Sequence, residues 1–221
     1  MRKLAVISAT LIMLANLPAN AFDQASFVAV KETRHCPGCD LTGVNLSLEK
    51  LNGANLAGAN FKGANLSLTR LISANLFQAN LERASLKEVR LNEANLTGAN
   101  FHEANIAKGH FNQANLQGTN FVRANLSQAH LNLANLSNAN MLGAALLKAH
   151  MNNANLSGAQ LEDANLTGAI FQKANLDGAN FSRANLTDVN LSRASMKNTN
   201  FEGAIFCRTK MPDGQRDDGC K

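Results

Sequence analysis

The feature that most constrains this chain is an apolar residue at every fifth position. From Leu41 to Phe206 that position holds Leu, Phe, Ile or Met 34 times in succession, with no insertion. Ala stands two residues before it in 25 of the 34 units, and Asn stands one residue before it in 21. The repeating unit is therefore A-N-L-x-x, and such internal repeats define the architecture before any other feature does.

A period of five excludes a simple helix and a straight strand. On an α-helix a five-residue step turns the chain by about 500°, so the apolar side chains would scatter around the axis. On a straight strand an odd step places successive apolar residues on opposite faces. The chain must therefore bend within every unit, and a short extended piece followed by a turn generates a solenoid with Leu inside. The Asn points outward, where its side chain can bond nearby turn backbone.

The departures from the unit recur every 20 residues, which predicts four units per coil. In one Asn column, seven of eight residues are not Asn, against six of the other 26 Asn-column positions. The neighbouring Ala column has five departures in eight positions, against four in the other 26. A three-sided coil would show a period of 15. The variable Asn column consists of Lys50, Arg70, Arg90, His110, His130, His150, Ile170 and Asn190.

These residues resemble the pentapeptide-repeat family over 41–206, although the family also allows Asp where this chain uses mostly Asn. The resemblance implies an all-β fold, a right-handed quadrilateral parallel β-helix. The 34 units in fours give about 8.5 coils. With coils about 4.8 Å apart the rod is on the order of 40 Å long. The flanks "CPGCDL" at 36–41 and "FC" at 206–207 also resemble exported members.

The first 21 residues read as a secretory signal peptide. A basic start precedes an apolar run of 14 residues from Leu4 to Leu17, and Ala19-Asn20-Ala21 supplies a cleavage site. An uncleaved anchor is the alternative, although a membrane span needs about 20 residues. We therefore expect an exported protein without a membrane span in the mature chain. The compartment would be the periplasm, the thylakoid lumen if the source is a photosynthetic bacterium, or the exterior.

Caps are expected at both ends of the repeat. Residues 22–38 would form an N-terminal cap whose short helix starts near Asp23 and carries Phe27, Val28 and Val30. The β-helix would occupy 39–206, and residues 207–221 would close the other end.

Four cysteines lie at the ends of the repeat region, and in an exported chain they predict disulfides. We expect a bridge within each pair. Redox chemistry or half of a metal site at the N-terminal C-x-x-C is the alternative, but no second C-x-x-C and no βαβ pattern accompany it. The cysteines are Cys36, Cys39, Cys207 and Cys220.

Six residues of the variable Asn column form the only candidate binding site that the sequence offers, and we call them the strip. The quadrilateral coil would place them in file, about 5 Å apart. A solvated ladder tolerated at an outward position is one interpretation. The others are a docking surface for an acidic protein, an anionic polymer or a second copy, and a histidine metal site. The strip consists of Lys50, Arg70, Arg90, His110, His130 and His150.

The sequence shows no catalytic motif, and we expect a protein that is not an enzyme and needs no metal or cofactor. Without Arg2 and Lys3 the chain carries 19 basic and 16 acidic residues. So mild an excess does not indicate nucleic-acid binding, which usually leaves a denser basic footprint. The favoured function is an exported structural or protein-interaction scaffold. The alternative is a DNA-mimicking, gyrase-binding role known for cytosolic members, which the basic charge and the signal peptide disfavour.

Overall fold

The computed structural model describes residues 23–220, so the predicted signal peptide at 1–21 lies outside the described residues. Isolated parallel bridges join residues that are 20 positions apart, from His35–Asn55 to Asn190–Lys210. Four such bridges recur in every 20 residues, one for each side of the coil. The bridged segment corresponds to almost nine coils.

The hydrogen bonds around Leu91 show how one unit is built. Its N–H donates to the carbonyl of His110 at 2.7 Å, and the N–H of His110 donates to the carbonyl of Val89 at 2.8 Å. The Ala94 N–H then donates to the carbonyl of Leu91 at 3.2 Å, which closes a four-residue turn. Each side of the coil thus contributes one bridged residue, and a turn carries the chain to the next side.

The corners require a left-handed backbone. From Gly43 to Gly203 the third residue of every turn has a positive φ, and 22 of these 33 residues are not glycine. A positive φ at this position is the requirement of a type II turn, which favours Gly or Asn. Bulky residues accept it here as well, for example Leu133 at 61°.

The interior is a continuous apolar column. The central residues from Leu41 to Leu191 and most of the Ala column are buried. Phe101 stacks on Phe121 with ring centroids 4.9 Å apart and planes 13° apart. Side chains therefore meet their counterparts in the next coil, as in other solenoids.

The N-terminal end is covered by helix α1, Gln24–Thr33. Asp23 caps it by accepting hydrogen bonds from the N–H groups of Ala25 and Ser26. Val30 is buried against the first coil and Phe27 is partly buried. Val28, which we expected in the apolar set, is 49% exposed because it lies on another side of the helix.

An antiparallel hairpin of β1, Thr209–Met211, and β2, Gly214–Arg216, lies at the C-terminal end, where Met196 and Phe201 of the last coil stay partly exposed. The Arg216 guanidinium lies 3.7 Å from the ring centroid of Phe206. The Cys207–Cys220 disulfide, with Cα atoms 4.7 Å apart, closes the loop that contains the hairpin. At the other end Cys36 is bonded to Cys39.

The coil extends past both expected boundaries of 39–206. Parallel bridges begin at His35 and end at Lys210. Cys36 and Met211 occupy the central position of the two terminal units and are only 3% and 8% exposed. A half-cystine and a methionine fill the interior at these two positions. The predicted boundaries missed them because they were set by the unbroken run of Leu, Phe, Ile and Met between 41 and 206. No helix within residues 23–220 is long and apolar enough to cross a membrane.

Candidate functional site

The structure brings all six strip residues into one file on one side of the solenoid. Each is bridged to the next through its backbone, from Lys50 to His150. The three cations, Lys50, Arg70 and Arg90, are exposed. The three histidines that follow them are partly buried.

The histidines stack along the file. The rings of His110 and His130 are 4.9 Å apart and nearly parallel, with planes 5° apart. The His130 and His150 rings are 5.0 Å apart and inclined by 33°. Stacked imidazoles present their faces to one another and do not converge on a single ion. Among residues 23–220 no group of His, Cys, Asp and Glu is arranged to hold a metal ion.

Partial burial and like charges lower the pKa of two of these histidines. Burial is the main cause at His110, and the neighbouring Arg90 guanidinium lowers the pKa further while Glu88 opposes the shift. At His130 burial again comes first, followed by the charges of His110 and His150. Both imidazoles are therefore harder to protonate than a free histidine.

A shifted set of asparagines takes over the structural task that Asn performs on the other sides. Elsewhere the column Asn accepts the N–H two residues ahead, as Asn100 does from His102 at 3.1 Å. On the strip side, the N–H of Asn132 donates instead to the side-chain oxygen of Asn112 at 3.0 Å, and that of Asn152 donates to Asn132 at 3.0 Å. In the same way, the side-chain oxygen of Asn52 accepts the N–H of Ile72, and that of Asn92 accepts the N–H of Asn112.

This exchange has a consequence for the strip. Because the acceptor comes from the preceding coil, the turn N–H groups of Ile72, Asn112, Asn132 and Asn152 are satisfied without an Asn in the strip column. Four of the six strip positions, Arg70 and the three histidines, are thereby released from turn capping. Beside Lys50 and Arg90 the corresponding N–H groups, those of Asn52 and Asn92, have no such acceptor among the described residues. The sequence does contain the signal: Asn stands two residues after five of the six strip positions, all except Arg70.

Two neighbouring surface depressions lie along the file, and together we call them the strip groove. The first has a volume of about 280 Å³ and contains the three cations. The second has a volume of about 370 Å³ and contains the three histidines. Because Glu88 and His110 line both depressions, the two are adjacent. The remaining lining residues, which sequence reasoning missed, are Leu48, Leu68, Lys108, Gln128 and Lys148.

The strip cations are unpaired, in contrast with other arginines of the solenoid. Arg83 lies 2.7 Å from Glu103, and Arg208 lies 2.6 Å from Asp188, in each case one coil away. In the described part of the chain, no ion pair includes Lys50, Arg70 or Arg90, although Glu88 lines the same groove. The strip groove therefore carries net positive charge, since its cations form no ion pair and Glu88 is the one carboxylate in its lining.

Comparison with known families identifies the repeat. The model described as "Pentapeptide repeat region" matches residues 44–121, 84–161 and 104–181. The model described as "Pentapeptide repeats (8 copies)" matches residues 174–211. No curated protein sequence matches the chain.

Solved structures of similar architecture include full-length QnrB1, a plasmid-mediated fluoroquinolone resistance protein. It is 20% identical, with a TM-score of 0.60, and the match covers 73% of this chain and 91% of that one. HetL of the cyanobacterium Nostoc sp. strain PCC 7120, a protein involved in heterocyst differentiation regulation, is 26% identical, with a TM-score of 0.47. That match covers 86% of this chain and 96% of HetL. A protein of the Arabidopsis thaliana thylakoid lumen is 35% identical, with a TM-score of 0.27. That match covers 47% of this chain and 70% of the Arabidopsis protein. The fold of this chain is a right-handed β-helix solenoid.

Proposed function

Because this chain belongs to the pentapeptide repeat family, we propose that it is an exported, non-enzymatic scaffold that binds an acidic partner protein through the strip. Members of the family are generally structural or interaction proteins. The signal-peptide pattern at residues 1–21 supports export.

The observation that carries the proposal is the file of exposed strip cations that form no ion pair within residues 23–220. At Arg70 and the three histidines, the turn N–H groups also find an acceptor in the preceding coil. Here Asn112 and Asn132 accept those N–H groups from the next coil, and the strip residues point outward without an acidic partner. Exposed, unpaired cations in file attract an acidic surface and accelerate its association.

The alternative of a DNA mimic that binds gyrase requires a file of negative charge on the solenoid. The file that this structure presents is positive, which favours an acidic protein as the partner. Residence in the cytosol would support the alternative, whereas a mature chain that starts near Phe22 in an exported fraction would support the proposal.

Affinity capture from the native compartment tests the proposed function. The bait would be the wild-type protein or the variant K50N/R70N/R90N, in which each cation is replaced by the residue that the repeat normally uses. The control R83N/R123N/R183N removes the same charge from corner positions seven residues away along the coil, where Asn accepts a positive φ. We expect the first variant to lose a partner that the control retains. Equal capture by all three baits would refute the docking role of the strip.

A further inference from the structure

We propose that the strip groove accepts an acidic α-helix of the partner, laid along the solenoid axis with about one carboxylate per helical turn. This inference rests on the proposed function and specifies the chemistry of the partner. It follows from the spacing of the strip, the apolar rim beside it and the distribution of charge over the rest of the solenoid.

The spacing favours a helix over an extended chain. Successive strip residues are separated by the distance between parallel strands, about 4.8 Å. An α-helix advances about 5.4 Å per turn. Side chains placed once per turn on one helix face therefore differ from the spacing of the strip residues by only about 0.6 Å per residue of the strip. In an extended strand, alternate side chains recur at about 6.7 Å, which differs from the spacing of the strip residues by about 2 Å per residue of the strip. The long side chains of Lys50, Arg70 and Arg90 can absorb the smaller mismatch between successive strip residues but not the larger one.

The groove also offers apolar contact at one end. Leu48 and Leu68 line it together with Lys50 and Arg70, and these leucines are 69% and 47% exposed. Both have a positive φ, a conformation in which glycine is the usual residue. An amphipathic helix that docks in a groove uses apolar anchors beside its charged stripe. A partner helix with Leu or a similar residue beside its first carboxylates would cover both leucines.

Charge elsewhere on the solenoid argues against a second copy as the occupant. From residue 35 to residue 210 no column holds acidic side chains in two successive coils. Three carboxylates instead pair with arginines one coil away, those of Glu103, Asp163 and Asp188. A copy of this chain therefore presents no file of carboxylates that could match the strip.

A synthetic peptide tests the inference directly. The probe is a capped helical peptide of about 18 residues, the length needed to span the strip at about 1.5 Å per residue. It carries Glu at alternating steps of three and four residues, with Leu beside the first two glutamates. One control peptide has the same composition with Glu scattered around the helix, and a second has Gln in place of Glu. Binding to the full-length protein is measured by fluorescence anisotropy at low ionic strength.

We expect the striped peptide to bind at least about tenfold more tightly than either control peptide, because only it can form several exposed ion pairs at once. K50N/R70N/R90N should weaken its binding by about tenfold or more, and R83N/R123N/R183N should not. L48G/L68G should weaken it several-fold without unfolding the protein, since glycine suits the positive φ. E88Q should strengthen it, because Glu88 is the one carboxylate that lines the strip groove.

Two outcomes would overturn the inference. Equal binding of the striped and scattered peptides would show that the strip responds to charge alone. Tighter binding of polyphosphate or single-stranded DNA than of the striped peptide would assign the strip to a polyanion. If the peptide fails while affinity capture still depends on the strip cations, the helix inference falls and the proposed function stands. If capture is also independent of the strip, both fall.

Discussion

His110 and His130 lie face to face, one coil apart, with ring centroids 4.9 Å apart and planes 5° apart. Burial lowers the pKa of both residues, helped by Arg90 at His110 and by the imidazoles of His110 and His150 at His130. The pKa of each residue is thus lower in the folded protein than the value of about 6.5 in an unfolded chain. The folded state therefore binds fewer protons than the unfolded state as the solution becomes acidic. Their contribution to stability is complete above about pH 6.5 and is lost as the pH falls through the lowered values.

We expect the urea midpoint of unfolding to fall as the pH is lowered from about 7 to about 5. In H110N/H130N this fall should be smaller, because Asn does not titrate and is the residue that the repeat normally uses there. The control H102N removes a histidine from a turn outside the strip and should keep the dependence. NMR titration should place both midpoints below about 6.5, and midpoints at or above that value would contradict the prediction. Asp163 and Asp188, whose pKa values are lowered by Arg183 and Arg208, act only at more acidic pH.

The exchange of asparagines predicts a specific rescue. N132A should remove the acceptor of the Asn152 N–H and destabilise the protein by about 1–2 kcal/mol, the cost of an unmatched polar group. Adding H150N should recover most of this loss, because an Asn two residues before the N–H can accept it as on the other sides. Thermal or urea unfolding of the single and double variants checks the prediction. Additive effects without recovery would show that the two positions do not share this role.

The ring of Phe111 leaves no room for a side chain at Gly109. A Cβ at Gly109 would lie 2.7 Å from Cε2 of Phe111 and 3.0 Å from Cγ2 of Ile106, closer than packing allows. G109A should therefore destabilise the protein by about 1–3 kcal/mol through overpacking. In G109A/F111L the pair matches the Ala and Leu of the repeat, and the loss should be smaller than the sum of the single effects. A double-mutant cycle on unfolding free energies measures this coupling, and strict additivity would disprove the contact.

The Cys207–Cys220 disulfide should stabilise the C-terminal end. It links residues 13 positions apart, and a loop of about that length contributes roughly 3 kcal/mol in the loop-entropy model. C207S/C220S should lower the unfolding temperature and increase amide exchange in the β1–β2 hairpin, while the middle coils remain protected. C36S/C39S, which removes the short disulfide at the N-terminal end, serves as the control variant. Mass spectrometry that found four free thiols in the oxidised protein would contradict both bridges.

The sequence predicted those parts of the fold that repeat. The family resemblance is confirmed, because the column of central apolar residues sets the period and each coil has the same environment. The alignment of the strip follows from the same 20-residue period. The charge pattern predicted its sign but not its unpaired state, which depends on where Glu88 and the corner carboxylates lie in three dimensions.

The features that sequence reasoning missed are those that break the period. A positive φ at Leu133 or Arg83 contradicts local preference, and it is imposed by the need to turn a corner in every unit. The placement of Gly109 depends on the direction of one phenylalanine ring. The shifted asparagines could have been found, since their spacing is visible, but only the hydrogen bonds show that they replace the missing column Asn.

The 20-residue bridges also determine how this molecule can assemble itself. In the described part of the chain, no hydrogen bond joins residues more than 23 positions apart. A chain that emerges from its N-terminus can therefore close each winding as soon as the next 20 or so residues are available, beginning on α1 and without waiting for the C-terminus. The same locality determines how the molecule responds to tension. Pulling on its C-terminus should release one winding at a time, each adding about 70 Å of contour length at about 3.4 Å per residue.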